Sequence, residues 1–112
     1  MFAFSANGFA KETTFRKELF DKAQAEGKVV IVSSWIKYCT SCASQMKVLD
    51  KAKNDFDNIE YFAFDVTNEE IAELFDVQYQ TTLLIFKDKK LVYRSIGETS
   101  KDLIYKAIQS SI

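Results

Sequence analysis

The chain alternates between apolar runs typical of buried strands and apolar residues at helical spacing. Residues 29–32 form an unbroken, β-branched apolar run that continues through two serines to Trp35. Such a run predicts a strand buried on both faces, as in the centre of an α/β sheet. Further strands are predicted at residues 59–66, 81–86 and 91–96, with a charged hairpin turn at residues 87–90.

Amphipathic helices are predicted before, between and after these strands, because apolar residues recur there every three or four positions. The first covers residues 13–25 and ends at Gly27, and the second covers residues 40–56. Thr13 or Thr14 is the predicted cap of the first helix. The third helix is predicted to start at Thr67, in a capping box with Glu70, and the last helix at Thr99 or Ser100. The apolar faces comprise Phe15, Leu19, Phe20 and Ala23; Cys42, Met46, Leu49 and Phe56; Ile71, Leu74 and Phe75; and Leu103, Ile104, Ala107 and Ile108.

The predicted order of elements is therefore α-β-α-β-α-β-β-α. Helical crossovers join parallel strands, whereas a short turn joins antiparallel ones. We expect an α/β fold, in which a central mixed β-sheet is flanked by helices on both faces and carries an antiparallel hairpin at one edge. The chain has 112 residues, 47% of them apolar, which suits one domain, placed at residues 11–112.

Residues 1–10, MFAFSANGFA, are apolar and rich in small residues, but they lack the basic start and the length of a full secretory signal. Two interpretations stay open for them: an N-terminal arm that covers the sheet, or the remnant of a signal peptide. No apolar run approaches the roughly 20 residues that cross a bilayer, so no membrane span is expected.

Charge and histidine content exclude several classes of function. The formal net charge is −1, and the basic and acidic residues are mixed along the chain without the basic stripe that nucleic acid requires. The chain has no histidine, which removes serine triads and His-bearing zinc sites. Nucleic acid is therefore not an expected partner.

The chain has only two cysteines, and both lie in WIKYCTSC, at the junction of a predicted strand and a predicted helix. Backbone N–H groups and the helix dipole favour a thiolate at such a junction, so Cys39 is the expected nucleophile. Cys42 lies one helical turn later and would resolve the mixed disulfide formed at Cys39. The alternatives are a redox-inert binding module, or a thiol-ligated metal or iron–sulfur site shared between subunits, because two thiolates cannot complete a four-ligand site.

The segments VVIVSSWIKYCTSC, FAFDVT and TTLLIFKDKKLVYRSIG resemble the thioredoxin superfamily in order and approximate separation, over residues 15–112. The resemblance implies the thioredoxin fold. It also implies that Trp35 and Tyr38 flank the active site and that Gln80 and Thr81 occupy the loop that contacts substrate, with Gly97 beside it. No cofactor is expected beyond the redox-active pair itself.

The sequence departs from the family pattern in three respects, which involve four residues. Thr81 stands where the family has a cis-proline. A cis bond to any other residue costs roughly 2.5–4 kcal/mol, so two alternatives stay open: a trans bond, or a cis bond held by strong tertiary constraint. Ser33 replaces a buried aspartate that assists proton transfer, so that route is expected to be lost or replaced by water. Thr40 and Ser41 lie between the cysteines in place of the family's usual pairs, so redox direction cannot be copied from them.

The resemblance implies a thiol-disulfide oxidoreductase that exchanges its Cys39–Cys42 pair with protein or peptide disulfides, preferentially as a reductant. Its partners would be those disulfides and an upstream thiol reductase or oxidase. The expected state is a monomer. The expected compartment is the periplasm or another extracytoplasmic space, with the cytoplasm as the alternative.

Overall fold

A computed structural model describes residues 14–112 of the chain. Every predicted helix and strand is confirmed, in the predicted order. The elements are α1 (Lys17–Ala25), β1 (Val29–Trp35), α2 (Thr40–Asp55), β2 (Ile59–Asp65), α3 (Glu69–Phe75), β3 (Thr82–Lys87), β4 (Lys90–Ile96) and α4 (Lys101–Ser111).

The four strands form one mixed sheet in the order β2-β1-β3-β4. Strand β1 is central, as its apolar run predicts, and pairs in parallel with β2 and antiparallel with β3. Strands β3 and β4 form the predicted antiparallel hairpin at the edge. Asp88 and Lys89 make the turn, both with positive φ, which matches the right-handed twist of the flanking strands.

The helices cover both faces of the sheet, and alternate residues of the strands point to opposite faces. On one face, α1 and α3 pack on Val30, Val32 and Leu84. On the other face, α2 and α4 pack on Ile31, Leu83 and other residues of the opposite alternation. The predicted α/β architecture is therefore confirmed. Within residues 14–112, no helix is both long and apolar enough to cross a membrane.

Two predicted helix starts are wrong. Thr14 does not cap α1, whose N-cap is Arg16; instead Thr14 pairs with Ala63 of β2 through its backbone and its hydroxyl, at 2.8 and 2.9 Å. Helix α3 starts one residue later than the capping box predicts. Its cap is Asn68, whose side chain accepts from the N–H of Ile71 at 3.2 Å. Ser100 caps α4 as predicted; Thr13 and the predicted arm at residues 1–10 lie outside the described residues.

Three leucines assigned to buried helix faces are exposed. Leu19, Leu74 and Leu103 have 45%, 49% and 52% of their surface accessible. On the same helices, Phe20, Ile71 and Ile104 are buried. Helical periodicity identifies the direction of a face but not how far the sheet beneath it extends.

Candidate active site

The two cysteines lie where β1 leads into α2. Cys39 is the N-cap of α2, and its sulfur accepts a hydrogen bond from the backbone N–H of Cys42 at 3.1 Å. The hydroxyl of Ser41 lies 3.4 Å from the same sulfur. Cys39 and Cys42 form a disulfide with Cα atoms 5.2 Å apart, an ordinary span for such a bridge. A helix start of this kind stabilises negative charge on sulfur, as expected for Cys39.

The two sulfurs differ in access to solvent. Cys39 is partly exposed, whereas Cys42 is fully buried, with 0% of its surface accessible. An incoming disulfide can therefore reach Cys39, and Cys42 is available only to a sulfur already bonded at Cys39. This contrast matches the predicted division into an attacking and a resolving cysteine.

Trp35 and Tyr38, predicted to flank the cysteines, have different surroundings. Trp35 is buried and packs with Cys42 and Ala63 in a small apolar cluster that Cys39 borders. Tyr38 precedes Cys39 with φ of 66° and is 89% exposed. Lys37 lies over the Tyr38 ring, 5.5 Å from its centroid. Trp35 therefore packs against the buried side of the disulfide, and the side chain of Tyr38 is exposed to solvent next to Cys39.

Thr81 lies at the same edge of the sheet as the disulfide. The antiparallel β1–β3 register pairs Ser33 with Leu83. Two residues later in β1 and two residues earlier in the other chain segment, the same register places Trp35 opposite Thr81. The Gln80–Thr81 peptide bond is cis, which is the second of the two alternatives left open for it. The carbonyl of Thr81 accepts a hydrogen bond from the N–H of Gly97 at 2.9 Å, which ties this loop to the end of β4.

Gln80 and Gly97 are exposed beside the buried Thr81, and Gly97 has a positive φ of 82°. The structure thus brings the predicted substrate-contacting residues to one edge. Thr81 is 1% exposed, and within residues 14–112 its hydroxyl has no hydrogen-bond partner.

Two buried polar residues that support the site were not predicted. Ser34 donates to the carbonyl of Tyr79 and accepts from the N–H of Thr82, both at 2.9 Å, so β1 holds the loop before β3. Gln45, one turn after Cys42 on α2, donates to the carbonyl of Glu98 at 2.7 Å and holds the loop after β4. The available sequence signal for the second was a glutamine on the apolar face of the predicted helix, between Cys42 and Leu49.

Metal ligation finds no support among residues 14–112, where no group of three or more His, Cys, Asp or Glu side chains is placed to hold an ion. Position 33 carries a serine where the family pattern has a buried aspartate. Ser33 is buried, and its hydroxyl lies 2.9 Å from the hydroxyl of Tyr61 on β2.

Comparison with known proteins agrees with this geometry. The family model described as Thioredoxin matches residues 9–110. Thioredoxin from Chlamydia muridarum is 31% identical over 81 residues, covering 71% of this chain and 79% of that protein. Thioredoxin-1 of Saccharomyces cerevisiae is 28% identical over 79 residues, covering 70% and 77%.

Solved structures show the same fold. The crystal structure of Trxlp from Edwardsiella tarda has a TM-score of 0.77 and 27% identity, covering 84% of this chain and 94% of that one. A mutant thioredoxin from Halobacterium salinarum has a TM-score of 0.78 at 19% identity, covering 96% of both chains. The predicted thioredoxin fold is confirmed. With its bridged Cys39–Cys42 pair at the start of α2, the chain belongs to the thioredoxin family and is a protein-disulfide oxidoreductase.

Proposed function

We propose that the protein reduces disulfides of protein or peptide substrates, with Cys39 as the nucleophile and Cys42 as the resolving thiol. The observation that carries this proposal is the difference in access between the two sulfurs. The partly exposed Cys39 sulfur, at the helix start, meets the substrate first, and the buried Cys42 acts second. The curated relatives, which are thioredoxins, support the reducing direction.

The reaction has two steps, each an exchange at sulfur. The Cys39 thiolate attacks one sulfur of the substrate disulfide, forms a mixed disulfide, and releases the other substrate sulfur as a thiolate. Cys42 then loses its proton and attacks the Cys39 sulfur, which releases the second substrate thiolate. The substrate gains two electrons, and the Cys39–Cys42 pair becomes the disulfide. An upstream thiol reductase returns two electrons to that disulfide.

The substrate chain would lie over the exposed edge formed by Tyr38, Gln80 and Gly97. Tyr38 offers a large exposed ring, and the exposed residue Gln80 would offer its backbone to an extended peptide. Binding of this kind depends more on the extended backbone of the substrate than on the substrate's amino-acid sequence.

The proposed setting is the periplasm or another extracytoplasmic space, where the protein acts as a monomer; the cytoplasm is the alternative. The apolar residues 1–10 and the CTSC motif, which lacks the Gly-Pro of thioredoxins, support this placement. Fractionation of the native cell, with sequencing of the mature N-terminus and sedimentation of the purified protein, tests it.

Covalent trapping tests the roles of the cysteines. Cys42→Ser is expected to accumulate mixed disulfides through Cys39, because the resolving step is lost, whereas Cys39→Ser as the matched control is expected to trap none. Equal trapping by the two variants would contradict the assigned order.

A redox titration tests the direction. Trp35 is the chain's only tryptophan and packs on Cys42, so its fluorescence should follow the bridge through a single two-electron transition in dithiol-disulfide buffers. A strongly reducing midpoint is expected for a reductase. A strongly oxidising midpoint would make the protein a disulfide donor instead.

A further inference from the structure

The resolving step requires a proton to leave a buried position. Cys42 is fully buried beneath the first turn of α2, in contact with Trp35 and Ala63. Only a thiolate attacks a disulfide efficiently, so the Cys42 proton must reach solvent or another base during each turnover.

Two hydroxyl groups lie beneath this part of α2. The parallel register pairs Ser33 of β1 with Ala63 of β2, and Tyr61 lies two residues before Ala63 on the same face. That face is the one that meets α2, because Trp35 packs on Cys42 and Ile31 packs in the cluster of Leu49. Ser33, between Trp35 and Ile31 along β1, therefore lies under the segment of α2 that starts at Cys42.

Ser33 is 0% exposed, so its hydroxyl has no direct access to water. Its hydroxyl and that of Tyr61 are 2.9 Å apart, and either can be the donor. Tyr61 also borders the apolar cluster that contains Cys42. A buried hydroxyl pair that can exchange donor and acceptor roles is able to pass a proton without holding a charge.

Tyr61 connects this pair to the surface. It lines a surface cavity of about 360 Å³ between α2 and β2, together with Met46, Asp50 and Lys53. Burial raises the pKa of the Tyr61 hydroxyl above its ordinary value. The hydrogen bond with Ser33 opposes this shift and the charge of Asp50 adds to it, so Tyr61 keeps its proton at neutral pH. Burial likewise raises the pKa of the Asp50 carboxyl, which makes it a better proton acceptor, while Lys53 opposes the shift.

The other charged groups nearby have partners of their own. Glu60, next to Tyr61, binds Lys28 at 3.2 Å. Asp65, on the same face of β2, accepts from the N–H and hydroxyl of Thr67 at 2.9 and 2.7 Å. Strand β1 itself has no charged residue.

We propose that the hydroxyls of Ser33 and Tyr61 form a relay that passes the Cys42 proton to the cavity at Asp50. This inference rests on the proposed function, because it concerns the second step of that reaction. As Cys42 attacks Cys39, its proton moves to Ser33, a proton of Ser33 moves to Tyr61, and a proton of Tyr61 moves to Asp50 or to cavity water. Both hydroxyls end the step neutral, and the departing sulfur leaves as a thiolate.

Stopped-flow reaction with one equivalent of an aromatic nitrobenzoate disulfide separates the two steps. Attack by reduced Cys39 releases one coloured thiolate, and resolution by Cys42 releases a second. Tyr61→Phe and Ser33→Ala are expected to slow the second phase about tenfold near neutral pH and to shift the midpoint of its pH profile upward. The rate of the first phase is expected to be unchanged, because the start of α2 stabilises the Cys39 thiolate without help from Ser33 or Tyr61.

The matched control is Tyr105→Phe. Tyr105 also donates a hydroxyl hydrogen bond, to Asp55 at 2.6 Å, but it lies on α4, away from the Cys42 cluster. The rate of the second phase in Tyr105→Phe should equal the rate in the unmodified protein. Ser33→Thr, which retains the hydroxyl, should restore most of the rate lost in Ser33→Ala.

The outcomes distinguish the two proposals. Absence of the first phase, or release of only one thiolate, would overturn the proposed function. A different result would overturn the proton path alone. In that case both coloured thiolates are released normally, and the second-phase pH profiles of Ser33→Ala and Tyr61→Phe are identical to that of Tyr105→Phe. If Tyr61→Phe does not fold, the comparison of Ser33→Ala with Ser33→Thr decides the question.

Discussion

The hydroxyl of Ser34 holds the loop that carries Gln80 and Thr81, and its loss is expected to destabilise the protein. Ser34 is 1% exposed, and Ser34→Ala leaves the N–H of Thr82 without this bond in a buried place. An unsatisfied buried donor costs roughly 1–3 kcal/mol, so the free energy of unfolding should fall by about that much. Urea unfolding of the oxidised protein measures the change.

The matched control is Ser110→Ala, which removes an exposed hydroxyl that donates to the carbonyl of Lys106. Its effect is expected to stay within about 0.5 kcal/mol. Equal unfolding midpoints for the two variants would contradict the role given to Ser34.

Adjacent serines illustrate what a sequence pattern can reveal about single residues. Ser33 and Ser34 follow the apolar run of β1, and their position in the strand was predictable. Their roles were not, because Ser33 faces α2 and meets Tyr61 while Ser34 meets the loop before β3. Both partners are set by how strands align across the sheet, which a local pattern does not encode.

At the scale of elements, periodicity was sufficient to place every described helix and strand but not to place every cap: Ser100 was predicted correctly, and the caps of α1 and α3 were not. The third helix shows the difference. Thr67 and Asn68 are both good caps, and the structure uses Asn68 because the Thr67 hydroxyl binds Asp65. Competition between neighbouring side chains decides such boundaries. The Cys39–Cys42 pair was predictable because its chemistry and its element boundary are both local.

The β3–β4 hairpin gives a prediction at this scale. Lys89 has φ of 66°, a conformation that costs an L-residue roughly 1–2 kcal/mol, whereas glycine adopts it freely. Lys89→Gly is therefore expected to stabilise the protein by about 0.5–1 kcal/mol after the larger entropy of the unfolded glycine chain is subtracted. Urea unfolding measures this gain.

Lys90→Gly serves as the control for the hairpin variant. It removes the same charge one residue later, at the first residue of β4, where Lys90 pairs with Lys87 and a glycine weakens the strand. The two variants should change stability in opposite directions. A loss of stability in Lys89→Gly would contradict the assigned turn.

At the scale of the whole molecule, the sheet separates two apolar layers, and the disulfide lies at the end of the layer beneath α2 and α4. Leu49 is fully buried in that layer, two turns after Cys42. Leu49→Ala is expected to lower the free energy of unfolding by about 2–5 kcal/mol, because it removes buried contacts and leaves a cavity. Leu103→Ala should change it by less than about 0.5 kcal/mol, because Leu103 is 52% exposed. Denaturant unfolding of both variants in the oxidised state tests the layer assignment, since equal losses would place Leu103 in the core.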